Sequence, residues 1–329
     1  MSLRHLPLCF VCLASFVVPS LFRAAPATPA GEPGYLFAHM TKEDYGRLYY
    51  SVSLDGLNWT VLNGRRRILP EYRGHPDVCQ GFDGRYFLVG NVETGGDIQL
   101  WVSPDMIKWE KFGAPFHADL SPYPAVRGVG GYHGAPKLFP DRTRQRYVLT
   151  WHSSTETRDD RHPWNYWDNM RTYYIESADL LNWTPARRLL PFDFGQIDTI
   201  LRRWGDRYYA VFKDERAPDF TWTTGKAIRS ASAPALEGPW TEPGPRLTPN
   251  WCEAPTVIPR PDGMGWYLYS DRYVPHQMYE ALAAPSLDGP WIGVKAAMTP
   301  NAKHGGMIPI TRATYEALLA AFPPDAKAP

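Results

Sequence analysis

Three acidic residues and one histidine stand at comparable places in this chain, each near the start of an apolar run. They are Asp77 in His75-Pro76-Asp77-Val78, Asp198 in Gln196-Ile197-Asp198-Thr199-Ile200, Glu253 in Cys252-Glu253-Ala254-Pro255-Thr256-Val257, and His304 before Gly305-Gly306. A related phrase, His133-Gly134-Ala135-Pro136-Lys137, carries a lysine instead of an acid. A charged residue that opens a buried strand is costly unless it is paired or functional. One such acid reads as a turn cap or an acceptor of backbone N–H bonds. Three in register, with a histidine, read as groups converging on one pocket. Carboxylates in one pocket can do general acid–base work, because a neighbouring negative charge keeps the proton on one while another stays ionised.

A repeated unit must position them. The phrase Ser53-Leu-Asp-Gly-Leu-Asn-Trp59 recurs as Ser103-Pro-Asp-Met-Ile-Lys-Trp109 and Ser177-Ala-Asp-Leu-Leu-Asn-Trp183. Looser forms end at Trp240 and Trp291, and the Trp-to-Trp spacings are 50, 74, 57 and 51 residues. Repeats of this length point to propellers or solenoids. A short apolar strand precedes each phrase, and a Gly/Asp turn with an aromatic strand, such as Asp83-Gly-Arg-Tyr-Phe-Leu-Val89, recurs earlier in each unit. Five units of about four strands predict an all-β, five-bladed β-propeller. The N-terminal unit, 34–60, lacks an inner strand, while Gly305–Ile310 is a strand without a blade. The C-terminal strand is therefore expected to complete the N-terminal blade. Apolar spacing over Thr314–Phe322 predicts a short outer helix. Residues 152–171 read as a long insertion in the second blade, which accounts for the spacing of 74.

Composition agrees. Aromatics make 14% of the 329 residues, and 27 Gly with 33 Pro argue against a helical bundle. A 44% apolar content is enough to offset chain entropy, and a net charge of +1 offers no field for nucleic acid. Residues 1–27 combine Arg4, an apolar run from Leu6 to Phe22 and a small-residue end, the pattern of a secretory signal peptide. A short linker, 28–33, and one propeller with its helix, 34–322, follow, with a tail at 323–329. The expected location is secreted or periplasmic, with no membrane attachment once the signal is removed. Cys79 and Cys252 remain after removal. A disulfide between them and two buried thiols are both open.

The Asp77 strand, Gly195-Gln-Ile-Asp198-Thr-Ile, Phe212-Lys-Asp-Glu-Arg216, Glu253-Ala-Pro-Thr-Val and His304-Gly-Gly-Met-Ile-Pro-Ile together resemble glycoside hydrolase family 43, across nearly all of 34–311. The resemblance implies an inverting glycosidase, of arabinofuranosidase or xylosidase type and exo-acting. It implies Asp77 as general base, Asp198 as the group that orients Glu253 and raises its pKa, and Glu253 as general acid. Asp77 and Glu253 should then face each other across about 6.5–9.5 Å, room for a water. No cofactor is required, although a calcium or sodium ion held through water by His304 is implied for the central channel.

The chain departs from that pattern. The family's Asp-Pro is reversed as Pro76-Asp77, and Lys137 stands where the second blade often has an acid. Related propellers acting on galactosides, anhydro-sugars or fructosides, and a non-catalytic sugar-binding propeller, stay open. Trp101, Trp151 and Trp251 are candidates for sugar stacking, as are Trp164, Trp167 and Trp222, whereas the repeat-ending tryptophans read as blade packing. Arg216, Arg272 and His276 are candidates for binding sugar hydroxyls. The expected partner is an oligo- or polysaccharide, with the protein a monomer.

Overall fold

The structure, a computed structural model, describes residues 33–93, 95–123, 132–154, 165–218 and 225–325. The expected signal segment, Trp164, Trp222 and half of the 152–171 insertion lie outside these residues. The described strands form five separate antiparallel sheets. The closure blade runs outward as β19 (Ala302–Thr311), β1 (Pro33–Thr41), β2 (Tyr49–Ser53) and β3 (Thr60–Val61). Blade one is β4 (Asp77–Gln80), β5 (Tyr86–Asn91), β6 (Ile98–Ser103) and β7 (Glu110–Phe116). Blade two is β8 (Gly134–Asp141), β9 (Arg146–Ser154), β10 (Met170–Ser177) and β11 (Arg187–Arg188). Blade three has three strands, β12 (Gln196–Trp204), β13 (Arg207–Asp214) and β14 (Ala227–Ala233). Blade four is β15 (Cys252–Pro259), β16 (Trp266–Arg272), β17 (Met278–Ala284) and β18 (Ile292–Val294).

The inner strands touch in the order β4, β8, β12, β15, β19 and back to β4, which closes a ring. This is the five-bladed β-propeller. Its closing device is the expected one: β19 pairs with β1 from Thr311 opposite Pro33 to Ala302 opposite Thr41.

Apolar residues on both faces of the strands make the ring. Side chains alternate along a strand, so each blade presents two faces. In β1, Tyr35 and Phe37 pack toward blade four, while Leu36 and Ala38 pack toward blade one. Five buried clusters result, one between each neighbouring pair of blades. Cys79 and Cys252 fall in different clusters, so they are two separate buried thiols.

The repeated Ser-x-Asp phrase is a turn whose side chains satisfy its own backbone. Ser53 Oγ accepts from Gly56 N–H at 2.9 Å, and Asp55 Oδ1 accepts from the N–H groups of Leu57 and Asn58, both at 2.8 Å. Ser103 with Asp105 and Ser177 with Asp179 do the same. The residue after each Asp is left-handed, at φ +76° for Gly56, +64° for Met106 and +65° for Leu180. The tryptophans that follow pack the blades, and Trp109 Nε1 donates to Tyr50 Oη of the closure blade at 2.8 Å.

The outer helix spans Arg312–Ala321, beginning two residues ahead of the expected start. Thr311 caps it by accepting from Thr314 N–H, and Leu318 buries against the closure-blade core. Among the described residues no helix is long and apolar enough to cross a membrane.

Candidate active site

Four inner strands carry a bulge near their starts. The ladder shifts between Gly134 and Lys137, between Ile197 and Ile200, between Glu253 and Thr256, and on β19 opposite His39/Met40. At each bulge one residue is left-handed: Ala135 (φ +44°), Asp198 (+54°), Ala254 (+49°) and His304 (+33°). Bulges re-aim side chains and gather beside active sites. In blade one the ladder begins at Asp77, opposite Val89. The residue two places before it, His75, therefore matches Asp198, Ala254, Ala135 and His304. The ring layer at the channel mouth is thus His75, Ala135, Asp198, Ala254 and His304.

Above this layer lies a cavity of about 300 Å³. His75, Asp198, Glu253 and His304 line it, with Tyr45, His152, Trp167, Lys213, Glu215, Lys226 and Tyr273. His304 joins the two carboxylates. Its Nε2 is 2.9 Å from Glu253 Oε1, and its Nδ1 is 3.8 Å from Asp198 Oδ2. Asp198 Oδ2 also accepts from Ala254 N–H at 3.1 Å, as adjacent blades allow. The rings of His75 and His304 lie 4.1 Å apart, and His75 Nε2 is 2.7 Å from Tyr45 Oη.

Glu253 is held by cations. Lys213 Nζ and Lys303 Nζ each donate to it at 2.9 Å, beside the bond from His304. Burial alone would raise its pKa, but His304 and then Lys213 outweigh that and hold the carboxyl well below its usual range. The expected raising of Glu253 by Asp198 is therefore not what the surroundings do. Lys213 continues to Glu215 at 2.9 Å, and Glu215 pairs with Lys226, so acids and lysines alternate along one wall. Burial acts oppositely on the imidazoles. His75 is pushed well below its usual value, and His152 down to about 4.

Asp77 does not join this group. Its place is two residues further along the strand, about 6.6 Å deeper at the usual rise. There Asp77 Oδ2 accepts from Leu138 N–H of blade two at 2.9 Å. Thr256 Oγ1 accepts from Met307 N–H at 3.0 Å at the equivalent position of blade four. Asp77 is thus a clamp between inner strands. It opens on a larger cavity of about 730 Å³ at the other end of those strands. Lys137 shares its layer and is buried, at 4% exposure.

Several other expected residues lie elsewhere. Trp101 and Trp151 are buried at 2% and 1% exposure in the inter-blade clusters, because strand residues here have a blade on either side. Arg216 chelates Asp214 and stacks on Phe194, 3.8 Å from its centroid, away from the cavity. Arg272 pairs with Glu280 at 2.7 Å, and His276 is exposed outside the cavity. Trp251 does not line the cavity but touches Tyr273, through an edge contact of the rings and a hydrogen bond from Tyr273 N–H to its carbonyl at 3.0 Å. Trp167 does face the cavity.

Sequence reasoning missed His75, Lys213, Lys303 and Tyr273. The signal for His75 was present: His75-Pro76, Ala135-Pro136 and Ala254-Pro255 recur at one register. Lys213 sits in a phrase already singled out and Lys303 immediately precedes another, but only the fold turns them onto Glu253.

The donors that face one another in the mouth are two imidazoles and a carboxylate. A calcium ion takes 6–8 oxygen ligands. The nearby acids Glu253 and Asp271 are engaged by Lys303. The side chains present do not fit the implied calcium or sodium ion as direct ligands.

The fold is a closed five-bladed propeller with two carboxylates, joined by His304, at one mouth of its channel. A family described as a probable glycosyl hydrolase domain, related to glycoside hydrolase family 43, matches residues 32–316, and the chain belongs to it. The chain is 23% identical over 202 residues to an α-L-arabinofuranosidase of Bifidobacterium longum subsp. longum, a stretch that is 58% of this chain and 17% of that protein. It thus spans about a sixth of the length of that relative. Among solved structures it is similar to an α-L-arabinofuranosidase from Lactobacillus brevis, with TM-score 0.53, 18% identity and coverage of 68% and 73% of the two chains. It is also similar to a family 43 β-1,3-galactosidase bound to galactodeoxynojirimycin, with TM-score 0.52, 12% identity and coverage of 76% and 86%. At these identities the structural likeness shows the shared fold.

Proposed function

We propose that the protein is an exported, exo-acting glycosidase that hydrolyses a terminal O-glycosidic bond with inversion. The observation that carries this reading is the line Asp198–His304–Glu253 at the floor of one cavity. At about 300 Å³ the cavity lies at the small end of ligand pockets and suits one terminal sugar rather than a polymer strand. Trp167 offers a ring for that sugar to stack on. Glu253 is the group that protonates the leaving oxygen, and Asp198 orients it through the Ala254 amide and His304. The water side of the cavity is occupied by His75 rather than by a carboxylate. The named activities of the similar proteins suggest arabinofuranosides and β-galactosides as the first substrates to try, with xylosides beside them. Export rests on the segment from Arg4 to Ala27.

One observation favours a second reading, a sugar-binding propeller without turnover. Lys213 and Lys303 both hold Glu253 ionised, and they must give way before it can carry a proton. Glu253→Gln separates the two readings. A hydrolase loses turnover of aryl glycosides by about 10³-fold or more while still binding the sugar. Unchanged hydrolysis overturns the assignment of Glu253, and no hydrolysis by the wild type across the three substrate classes favours the binder. Product anomers followed by NMR test inversion, and a retained anomer contradicts it.

A further inference from the structure

Three of the five positions in the mouth layer carry side chains that can ligate a metal, and these three converge. One ligand atom from each of His75, Asp198 and His304 lies within 4.8 Å of the others. His304 Nδ1 lies 3.8 Å from Asp198 Oδ2, and the rings of His75 and His304 lie 4.1 Å apart. His75 uses Nε2 on Tyr45 Oη, and its buried Nδ1 has no hydrogen-bond partner among the described residues. His304 uses Nε2 on Glu253 Oε1, which leaves Nδ1 on the side of Asp198. Asp198 is 1% exposed, lines the cavity, and its buried Oδ1 has no hydrogen-bond partner among the described residues. A buried carboxylate oxygen without a partner costs free energy unless something compensates it.

We propose that His75, Asp198 and His304 bind one divalent transition-metal ion of the zinc class directly, at the floor of the sugar cavity. The donor set is the argument for the class. Two imidazoles and one carboxylate suit zinc and its first-row neighbours, whereas calcium and sodium want a shell of oxygens. The outer contacts fit as well. Metal-bound imidazoles usually give their second nitrogen to a carboxylate or another polar group, which fixes the ring. Glu253 does this for His304, and Tyr45 for His75. Ligand atoms around a tetrahedral zinc stand about 3.4 Å apart at the usual bond lengths, so small side-chain rotations complete the site. The remaining positions open on the cavity, to water or to sugar hydroxyls. The site does not depend on turnover, so it stands or falls separately from the hydrolase reading.

The test uses the full chain without its signal segment or a histidine tag, stripped with chelator, and titrated calorimetrically with zinc chloride. The expected result is one ion per chain with a Kd at or below the micromolar range and a raised melting temperature. Cobalt(II) at the same site should give visible bands of mixed nitrogen–oxygen ligation. His75→Ala and Asp198→Ala, each checked for native circular dichroism, should abolish binding. Tyr45→Phe keeps the ring and should weaken binding about 10–100-fold, which a merely structural role would not do. His276→Ala, at an exposed histidine outside the cavity, should leave it unchanged. No saturable binding at 100-fold excess zinc, binding indifferent to His75→Ala, or equal affinity for calcium would each overturn the proposal.

Discussion

Glu253 and Asp77 show how far a residue's type falls short of its role. Both are acids at the head of apolar inner strands. Glu253 lies under two lysines and a histidine in the cavity, while Asp77 is spent on the amide of Leu138 in the layer below. Register separates them: Asp77 stands level with Thr256, three residues beyond Glu253 on the far side of the bulge, and so lies deeper in the channel. Burial raises the Asp77 carboxyl, as expected of an acid that faces the ring interior. Asp77→Asn keeps an acceptor for Leu138 and should leave kcat within about tenfold of wild type once substrates are known. A catalytic base would cost about 10²–10⁴-fold, so a loss in that range would return Asp77 to the chemistry. In the resembled family's Asp-Pro phrase, the matching dipeptide here is His75-Pro76, and the layer count agrees with that alignment.

At the scale of elements, the turns were legible and the bulges were not. Ser, Asp and Trp at fixed spacing announce a turn that closes hydrogen bonds on itself, and that needs no partner from elsewhere in the chain. A bulge is a relation between two strands. Nothing local in Ile197-Asp198-Thr199 shows that the ladder will slip there. The inner strands also press on one another where side chains are small. A Cβ placed on Gly306 would stand 2.3 Å from Asp77 Oδ1 and 3.1 Å from its Cα. Glycine is needed there for close approach between β19 and β4. Gly306→Val should therefore push the closing strand from its neighbour and lower stability by roughly 1–3 kcal/mol, read from the urea midpoint. An unchanged midpoint would mean that the closure tolerates the extra volume.

For the whole molecule, ring closure buries groups that would otherwise titrate near neutrality. Burial lowers His39 and His133 from 6.5 to about 4 each. Both are neutral in the fold, whereas in the unfolded chain they take up protons below about 6.5. Between those values the unfolded state binds more protons, so stability is complete above about pH 6.5 and falls as the pH drops toward 4. The urea midpoint at pH 5 should lie clearly below that at pH 7.5. A midpoint that holds or rises on acidification would contradict the burial of these rings. The depressed carboxylates act in the same direction at the acid end of this range, because Glu253 and Asp44 have ordinary values of 4.5 and 3.8 and the unfolded chain takes up those protons first.

By itself, the chain's order of residues determined the blade count, the turn chemistry, the closing strand and the acids Asp198 and Glu253, together with His304. Each depends on local spacing or on a repeat, and a repeat is visible without coordinates. Only the tertiary structure decided which side chains share the cavity. The inner strands meet neighbours from distant parts of the chain, so Lys303 reaches Glu253 and His75 lies against His304 through ring closure rather than sequence proximity. Register decided the rest, since a shift of two residues exchanges an expected base, Asp77, for an imidazole.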